Sequence, residues 1–420
     1  MQFGARELAS IKKRGGAVAL QSYQLIPAAV HQSSARPLHA MRCCLVLALA
    51  NALLPPTTHV RSRHWLYAER RVWQSRKLGS IDALQLATAP IDDAAADACT
   101  IAVRAIGLNY ADIFSVLGLY SAANEVLAAA PASSGFVPGL EFAGVVEDAG
   151  PEAPYKSGDR VFGFTRFGAY ADRLTQRAAF LRKIPDGWSF AEAASVMVQG
   201  MTAYYGLIEL GNAKEGSQVL VESAAGGVGL QTLEICAKLG CRAAAVVGSD
   251  AKADVVRARH PEVKDIIVRE STPDAAYRAA LDSFGLIDVV MESLGGPWFD
   301  EGLSRLAPRG RLIHFGATAA YGAARGGLLK WPGLVAAYLR RPRVDPGELT
   351  STNRAVFGFN LIWLTGEEDY LAEVLDGMAG VLLDRPPLVG RTFAFDALPD
   401  ALRHLQSGSS TGKVVVVVGE

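Results

Sequence analysis

The residues best suited to chemistry in this 420-residue chain lie in one stretch, Ser217–Lys252. At its centre is Ala224-Ala-Gly-Gly-Val-Gly229. Side chains in such a turn hold the backbone away from a pyrophosphate. Without them, amides at a helix N-terminus can point at phosphate oxygens. Gly227-x-Gly229-x-x-Thr232 fits the dinucleotide fingerprint except at its third position, where Thr232 is still small enough for helix–strand packing. Such a fingerprint means little alone, so its flanks decide. Gln218–Glu222 opens with apolar VLV, a short buried strand, and LQTLEICAKLG follows with near-helical spacing of Leu230, Leu233, Ala237 and Leu239. Gly240 caps the helix, and Cys241–Val247 is a second strand-like run. Strand, glycine turn, helix and strand form a βαβ unit, which favours nucleotide binding over a structural glycine turn.

The end of the second strand indicates which dinucleotide. An NAD site usually has an acid about 20 residues beyond the first glycine. That point is Val247–Gly248, which has none. Ser249 and Lys252 follow, and Lys252 can neutralise a 2′-phosphate, so the expected cofactor is NADP(H). The alternative is a solvated lysine at a helix start, and the nearby Asp250 weakens the phosphate reading.

Composition narrows the class. The length suits about two domains, and half the residues are apolar. Lys+Arg and Asp+Glu balance at 42 each, with no basic stripe interleaved with aromatics, which argues against a nucleic-acid surface. No apolar stretch is long enough to span a bilayer. The five cysteines, Cys43, Cys44, Cys99, Cys236 and Cys241, contain no C-x-x-C, so neither a disulfide framework nor a four-cysteine zinc site is expected. The core suits a reducing compartment. Met1–Ala68 has eight Lys/Arg and one acid, the bias of an organelle transit peptide (plastid or mitochondrion), with a short signal-type apolar segment over Met41–Ala52. A disordered tail or an untranslated extension are the alternatives; without targeting the expected location is cytoplasmic.

Beyond this extension, the elements that must position the turn come in a definite order. Ile101–Leu108 reads as a strand leading into Asn109–Ile113, and Ala122–Ser134 as a flexible insertion or loose helix. Turn-and-strand units at Pro138–Glu147, Gly158–Gly163 and Gly168–Ala171 suggest a compact β domain. Ala191–Leu210 reads as helical. After Lys252 the alternation continues: strand Asp265–Val268, helix Asp274–Phe284, strand Ile287–Met291, helix Phe299–Leu306 and strand Gly310–Gly316. This is a doubly wound parallel sheet. Gly326–Arg343 reads as a basic helical segment, and the chain closes with helix Leu398–Leu405 and strand Lys413–Val418.

From about Trp73 to Glu420 the chain resembles the medium-chain dehydrogenase/reductase superfamily. The motifs are GLNYAD (107–112), PGLEFAGVV (138–146), GDRVFGF (158–164), QGMTAYY (199–205), AAGGVG (224–229) and GKVVVV (412–417). It is most similar to the zinc-free quinone oxidoreductases and, through NRAVFGF (353–359) and Gly366-Glu367, to the vesicle amine transport protein-like subgroup. The resemblance implies a GroES-like β-rich catalytic domain (69–198), a Rossmann domain (199–348) and a return to the catalytic domain (349–420), after the extension 1–68. Zinc-dependent relatives carry a cysteine where this chain has Asn109 and a His-Glu pair where it has Leu140-Glu141. Glu141 alone does not hold a catalytic zinc, which usually takes three protein ligands. No metal is therefore expected, and hydride passes from NADPH directly to a quinone or an activated C=C.

The resemblance also implies roles. Asn109 and Tyr120 line the substrate cleft, and Thr202 contacts the nicotinamide side. Gly226, Gly227 and Val228 meet the pyrophosphate, and Ser249 and Lys252 the 2′-phosphate. Gly316 lies at a ligand-binding strand end. Phe359 and Asn360 return over the nicotinamide, and Lys413 lies near the cofactor. Arg269 stands where relatives often have a tyrosine; it either stacks on adenine and reaches the phosphate or is a solvated strand-end charge. Tyr120 is a packing residue with a wet hydroxyl or a proton donor, and Asn109 a cleft residue or a strand-end cap. Relatives are often homodimers. A 2-alkenal or 2-enoyl reductase is the nearest alternative activity. A non-catalytic NADPH-binding protein in peripheral membrane contact through Leu329–Arg343 is the alternative from another class.

Overall fold

The computed structural model describes residues 69–91, 94–131, 134–318 and 341–419. The expected targeting extension and all but the end of the basic segment Gly326–Arg343 lie outside the described residues. Among those described, no helix is long and apolar enough to cross a membrane.

Six parallel strands form the nucleotide-type sheet. Their spatial order is Asp265–Val268, Arg242–Val247, Gln218–Val221, Ile287–Glu292, Leu306–His314 and Ala355–Gly358. Val219, Leu220 and Val221 are all buried, as are Val289, Val290 and Met291. Such continuous apolar runs are what a parallel strand covered on both faces requires. Helices Gly227–Leu239, Asp250–Arg259, Ala275–Phe284 and Pro297–Ser304 follow successive strands. Strand order reverses between Gln218–Val221 and Ile287–Glu292, so the crevice beyond their carboxyl ends is the ligand-binding position of a doubly wound sheet.

This sheet runs past the boundary expected at residue 348. Ala355–Gly358 pairs in parallel with Leu306–His314, setting Val356 opposite Leu312 and Phe357 opposite Ile313. The strand is short and only half-buried, which hid it in the sequence.

The second sheet builds the β-rich lobe. Its order is Val389–Ala394, Lys413–Val417, Ala98–Gly107, Glu141–Ala149, Arg160–Phe164 and Leu181–Lys183, with Arg173–Arg177 also paired to Ala98–Gly107. The C-terminal strand Lys413–Val417 lies antiparallel to Ala98–Gly107, with Val415 opposite Gly107. This pairing brings the two ends of the folded body together. Ala122–Ser134 is not loose throughout: Ser121–Ala129 is a helix, as its alanine content favours. The stretch Ala191–Leu210 is not one helix either. It divides into Phe190–Ala193, Met197–Tyr204 and a π-helical turn, Tyr205–Leu210. In that turn the Gly206 backbone packs so close to Met291 that a Cβ would lie 2.7 Å from its Cε.

Candidate active site

The glycine turn is built as the fingerprint requires. Gly226 is the N-cap of Gly227–Leu239, in extended conformation with φ −81° and ψ 173°. A Cβ on Gly229 would come within 2.5 Å of the Ala224 Cα and 2.6 Å of the Ser223 carbonyl, so only glycine lets helix and strand approach there. Around Gly226, by contrast, a Cβ would meet only the Ser223 carbonyl at 3.2 Å. The helix N-terminus is therefore tight on its strand side and open outward, a cradle suited to a pyrophosphate. Val228 lies half-buried in the first turn. Gln199, on the neighbouring helix, covers the turn: its Oε1 occupies the space of a Gly227 Cβ, 1.7 Å from that point. The C-terminal segment joins here, the Gly412 amide donating to the Ala225 carbonyl at 2.9 Å.

At the next strand end, Ser249 caps Asp250–Arg259 and its hydroxyl accepts from the Lys252 amide. Lys252 is not a freely solvated lysine; it is half-buried and its ammonium donates to the Gly408 carbonyl at 2.7 Å. Arg269 stacks its guanidinium over the Trp298 ring, 5.3 Å from the centroid, so it is not a simple solvated charge either. Burial and the Arg269 charge hold the Lys252 pKa below the usual lysine range. Burial lowers that of Arg269, against the pull of Glu222. Two cations thus face each other, each hydrogen-bonded to a backbone carbonyl.

The cleft residues come from three separate stretches. The Tyr120 hydroxyl donates to the Asn360 Oδ1 at 2.6 Å, joining residues 240 apart in sequence. Burial pushes the Tyr120 pKa up to about 12, so its proton stays in place at neutral pH. Asn360 also caps the short turn Leu361–Leu364, accepting from the Ile362 amide. Behind them is a small apolar wall of Ala122, Leu140 and Ile362, with Phe167 and Val198 packed on it. Phe359 sets its ring edge to Tyr205, centroids 5.1 Å apart, and its amide donates to the His314 carbonyl. Thr202 turns its hydroxyl back to the Val198 carbonyl at 2.7 Å. Gly316 lies just beyond strand Leu306–His314, where a Cβ would lie 3.4 Å from the Ser293 carbonyl.

Asn109 and Lys413 meet in a buried network below this cleft. The Lys413 ammonium bonds to Glu141 and donates to the Asn109 Oδ1 at 2.8 Å. The Asn109 Nδ2 donates to the same Glu141 oxygen at 2.8 Å, and the other Glu141 oxygen accepts from the Val198 amide at 3.0 Å. Gly107 leaves room for the pair: a Cβ there would lie 2.8 Å from the Lys413 Cε and 2.9 Å from the Glu141 carboxyl carbon. The Lys413 ammonium points into the catalytic lobe, while its neighbour Gly412 bridges to Gly226 of the glycine turn. Asp112, one turn along, accepts from the Asn109 amide at 2.7 Å. Complete burial raises the Asp112 pKa to about 7 against the attraction of Lys413.

A second buried cluster was not anticipated. Glu222 and Glu292 end the two strands that flank the switch point. Glu222 accepts from the amides of Ser293 at 3.0 Å and Leu294 at 3.1 Å, and Glu292 bonds the His314 Nδ1. Burial and the charge of Glu292 push the Glu222 pKa well above the usual carboxylate range. Their signal was present as an acid closing each of two apolar strands, but pairing them needs the strand order. Gln199 lay in a motif already recognised, QGMTAYY, yet only the folded turn shows what it covers.

Comparison with known proteins agrees with this geometry. Residues 95–202 match the family model described as alcohol dehydrogenase GroES-like domain, and residues 263–416 the one described as zinc-binding dehydrogenase. The synaptic vesicle membrane protein VAT-1 homolog of Rattus norvegicus is 30% identical over 326 residues, 76% of each chain. The quinone oxidoreductase of Thermus thermophilus, solved alone and with NADPH, is 28% identical, with TM-score 0.64 over 83% of this chain and 99% of its own. The CurK enoyl reductase shares the fold at TM-score 0.68 and 23% identity, over 83% and 99%. Fold and site together define a two-domain oxidoreductase with a GroES-like lobe and a Rossmann lobe. Within that class, the chain belongs to the medium-chain dehydrogenase/reductase superfamily and is of the VAT-1 type.

Proposed function

We propose that this protein is an NADPH-dependent reductase that delivers hydride, without a metal, to a quinone or similarly electron-poor acceptor. The observation that carries this is the Lys413 ammonium buried between Asn109 and Glu141. In zinc-dependent relatives a metal polarises the substrate oxygen from this region; here a lysine ammonium is paired with Glu141, the one member of that metal-binding pattern this chain keeps. With no Lewis acid at that point, the acceptor must already be electron-poor.

The residues present fit the cofactor. Bound along the cradle, NADPH supplies the hydride. In the turn over Gly226, Gly227 and Val228 the amides of Gly227 and Val228 face the pyrophosphate, that of Gly226 donating to the Ser223 carbonyl at 2.8 Å, and Lys252 and Arg269 offer paired cations to a 2′-phosphate, with Ser249 beside them. Trp298 holds the Arg269 plane for stacking. Thr202, Gly316, Phe359 and Asn360 border the reacting end, and the apolar wall beside Tyr120 accepts a planar acceptor while excluding water.

One observation favours a second reading, reduction of a 2-alkenal or 2-enoyl group. The Tyr120 hydroxyl keeps its proton, and by turning that proton from the Asn360 Oδ1 it can donate to a developing enolate. Parallel assays of NADPH oxidation with 1,4-benzoquinone, 9,10-phenanthrenequinone and a 2-alkenal separate the two. Quinone turnover supports the main proposal and alkenal turnover alone the second. Tight NADPH binding with no turnover indicates a non-catalytic binding protein. Ala355–Gly358 is the outer strand of its sheet and a reasonable edge for a homodimer. Membrane contact through Leu329–Arg343 and organelle targeting remain proposals from the sequence.

A further inference from the structure

The helix Gly227–Leu239 carries the phosphate turn at one end and two cysteines at the other. Its exit is a Schellman turn. The Cys241 amide donates to the Cys236 carbonyl at 2.9 Å and the Gly240 amide to the Ala237 carbonyl at 3.3 Å. Gly240 takes the left-handed conformation the turn needs, φ 71° and ψ 30°. This backbone path brings the side chains at its two ends into contact, normally as an apolar pair. Here both are cysteines. Cys236 is buried, whereas Cys241 is half-exposed, and the Cys241 Sγ also lies 3.3 Å from the Lys214 carbonyl.

We propose that Cys236 and Cys241 are a redox-active dithiol that closes to an intramolecular disulfide when a hydroperoxide reaches Cys241. The accessible Cys241 thiolate attacks one oxygen of hydrogen peroxide, breaking the O–O bond and giving a sulfenic acid, while the departing hydroxide takes up the proton the thiol had lost and leaves as water. The Cys236 sulfur then attacks the Cys241 sulfur, forming the S–S bond and releasing the second water with the Cys236 proton. Two thiols are oxidised and one peroxide is reduced. The roles follow from exposure and from the mutual influence of the two thiols, which raises the pKa of Cys236 and lowers that of Cys241. The more acidic and more exposed thiol is the one placed to react first. The other, held at the far end of the same turn by the Cys241 amide bond to its carbonyl, resolves it. The remaining described cysteine, Cys99, is fully buried in the other lobe.

The sequence provides a direct readout, because Lys238 lies between the two cysteines. The full-length protein is treated with a small excess of hydrogen peroxide, blocked with N-ethylmaleimide, digested with trypsin and examined by mass spectrometry with and without reduction. The expected result is that the peptide ending at Lys238 and the one ending at Arg242 travel as a linked pair, separated by dithiothreitol. In Cys236→Ser, Cys241 is trapped instead as a sulfenic acid by dimedone. The inference is overturned if both thiols remain open to maleimide, if Cys241 passes to the sulfinic acid while Cys236 stays reduced, or if either bridges to another cysteine. The wild-type digest decides the matter even if the variant fails to fold.

Discussion

Lys413→Met isolates the central feature of the site. The substitution keeps the length and apolar body of the side chain but removes an ammonium with 1% side-chain exposure from a carboxylate with none. Glu141 keeps its bonds from the Asn109 Nδ2 and the Val198 amide, yet loses its counter-charge. Breaking a buried ion pair from one side costs about 3–5 kcal/mol, because the remaining charge is left uncompensated. At roughly 2 °C per kcal/mol for a protein of this size, the melting temperature falls by about 6–10 °C. Glu141→Gln should be milder. Burial already lowers the Lys413 pKa, and without Glu141 the amine can shed its proton. The double variant, with neither charge, should be more stable than Lys413→Met alone, giving a coupling of roughly 2 kcal/mol or more in a double-mutant cycle. Thermal and urea unfolding measure all four proteins. A loss under about 1 kcal/mol in Lys413→Met would show that the pair behaves like a surface bridge, and the network argument would fail.

Other expectations address the remaining parts. Gly229→Ala forces a methyl into the Ala224 and Ser223 backbone and should abolish NADPH binding. Gly227→Ala meets first the movable Gln199 amide and should weaken it by less, about tenfold; calorimetric titration compares the two. Replacing Lys252 and Arg269 together by alanine should cut the preference for NADPH over NADH by about a hundredfold, taking about 1.5 kcal/mol, the low end for a charge-assisted contact, for each. Equal losses with both cofactors would refute the 2′-phosphate role. Asp112 sets a pH slope. Its folded pKa of about 7 lies above the unfolded value of 3.8, so between these values the folded state binds more protons than the unfolded. Stability should therefore fall as pH rises from about 4 to 7, and Asp112→Asn should flatten this part of the unfolding profile.

What could be read beforehand follows the range of the interactions. The βαβ unit was legible because its signals are local: a glycine run, apolar strands, and Gly240 closing the helix. Strand Ile287–Glu292 stood out because a parallel strand buried on both faces is apolar throughout, and the edge strand Asp265–Val268 through its apolar run Ile266-Ile267-Val268. Ala355–Gly358 did not, since a half-buried strand of four residues at a sheet edge has little pattern to read. The catalytic lobe's network was illegible for a different reason. Lys413 is 272 residues from Glu141 and 304 from Asn109, and no periodicity relates them. The resemblance gave Lys413 a place near the cofactor but not its partners: the strand Lys413–Val417, laid against Ala98–Gly107, brings its ammonium to Glu141. Tyr120 and Asn360 were each expected in the cleft, but their hydrogen bond required the fold.

The central claim is metal-free hydride delivery from NADPH, and one measurement meets it directly. The protein is dialysed against a strong zinc chelator, and NADPH and NADH oxidation are followed with 9,10-phenanthrenequinone as acceptor. The account predicts undiminished turnover after chelation, with NADPH strongly preferred. Activity that disappears with the chelator and returns with added zinc would contradict it.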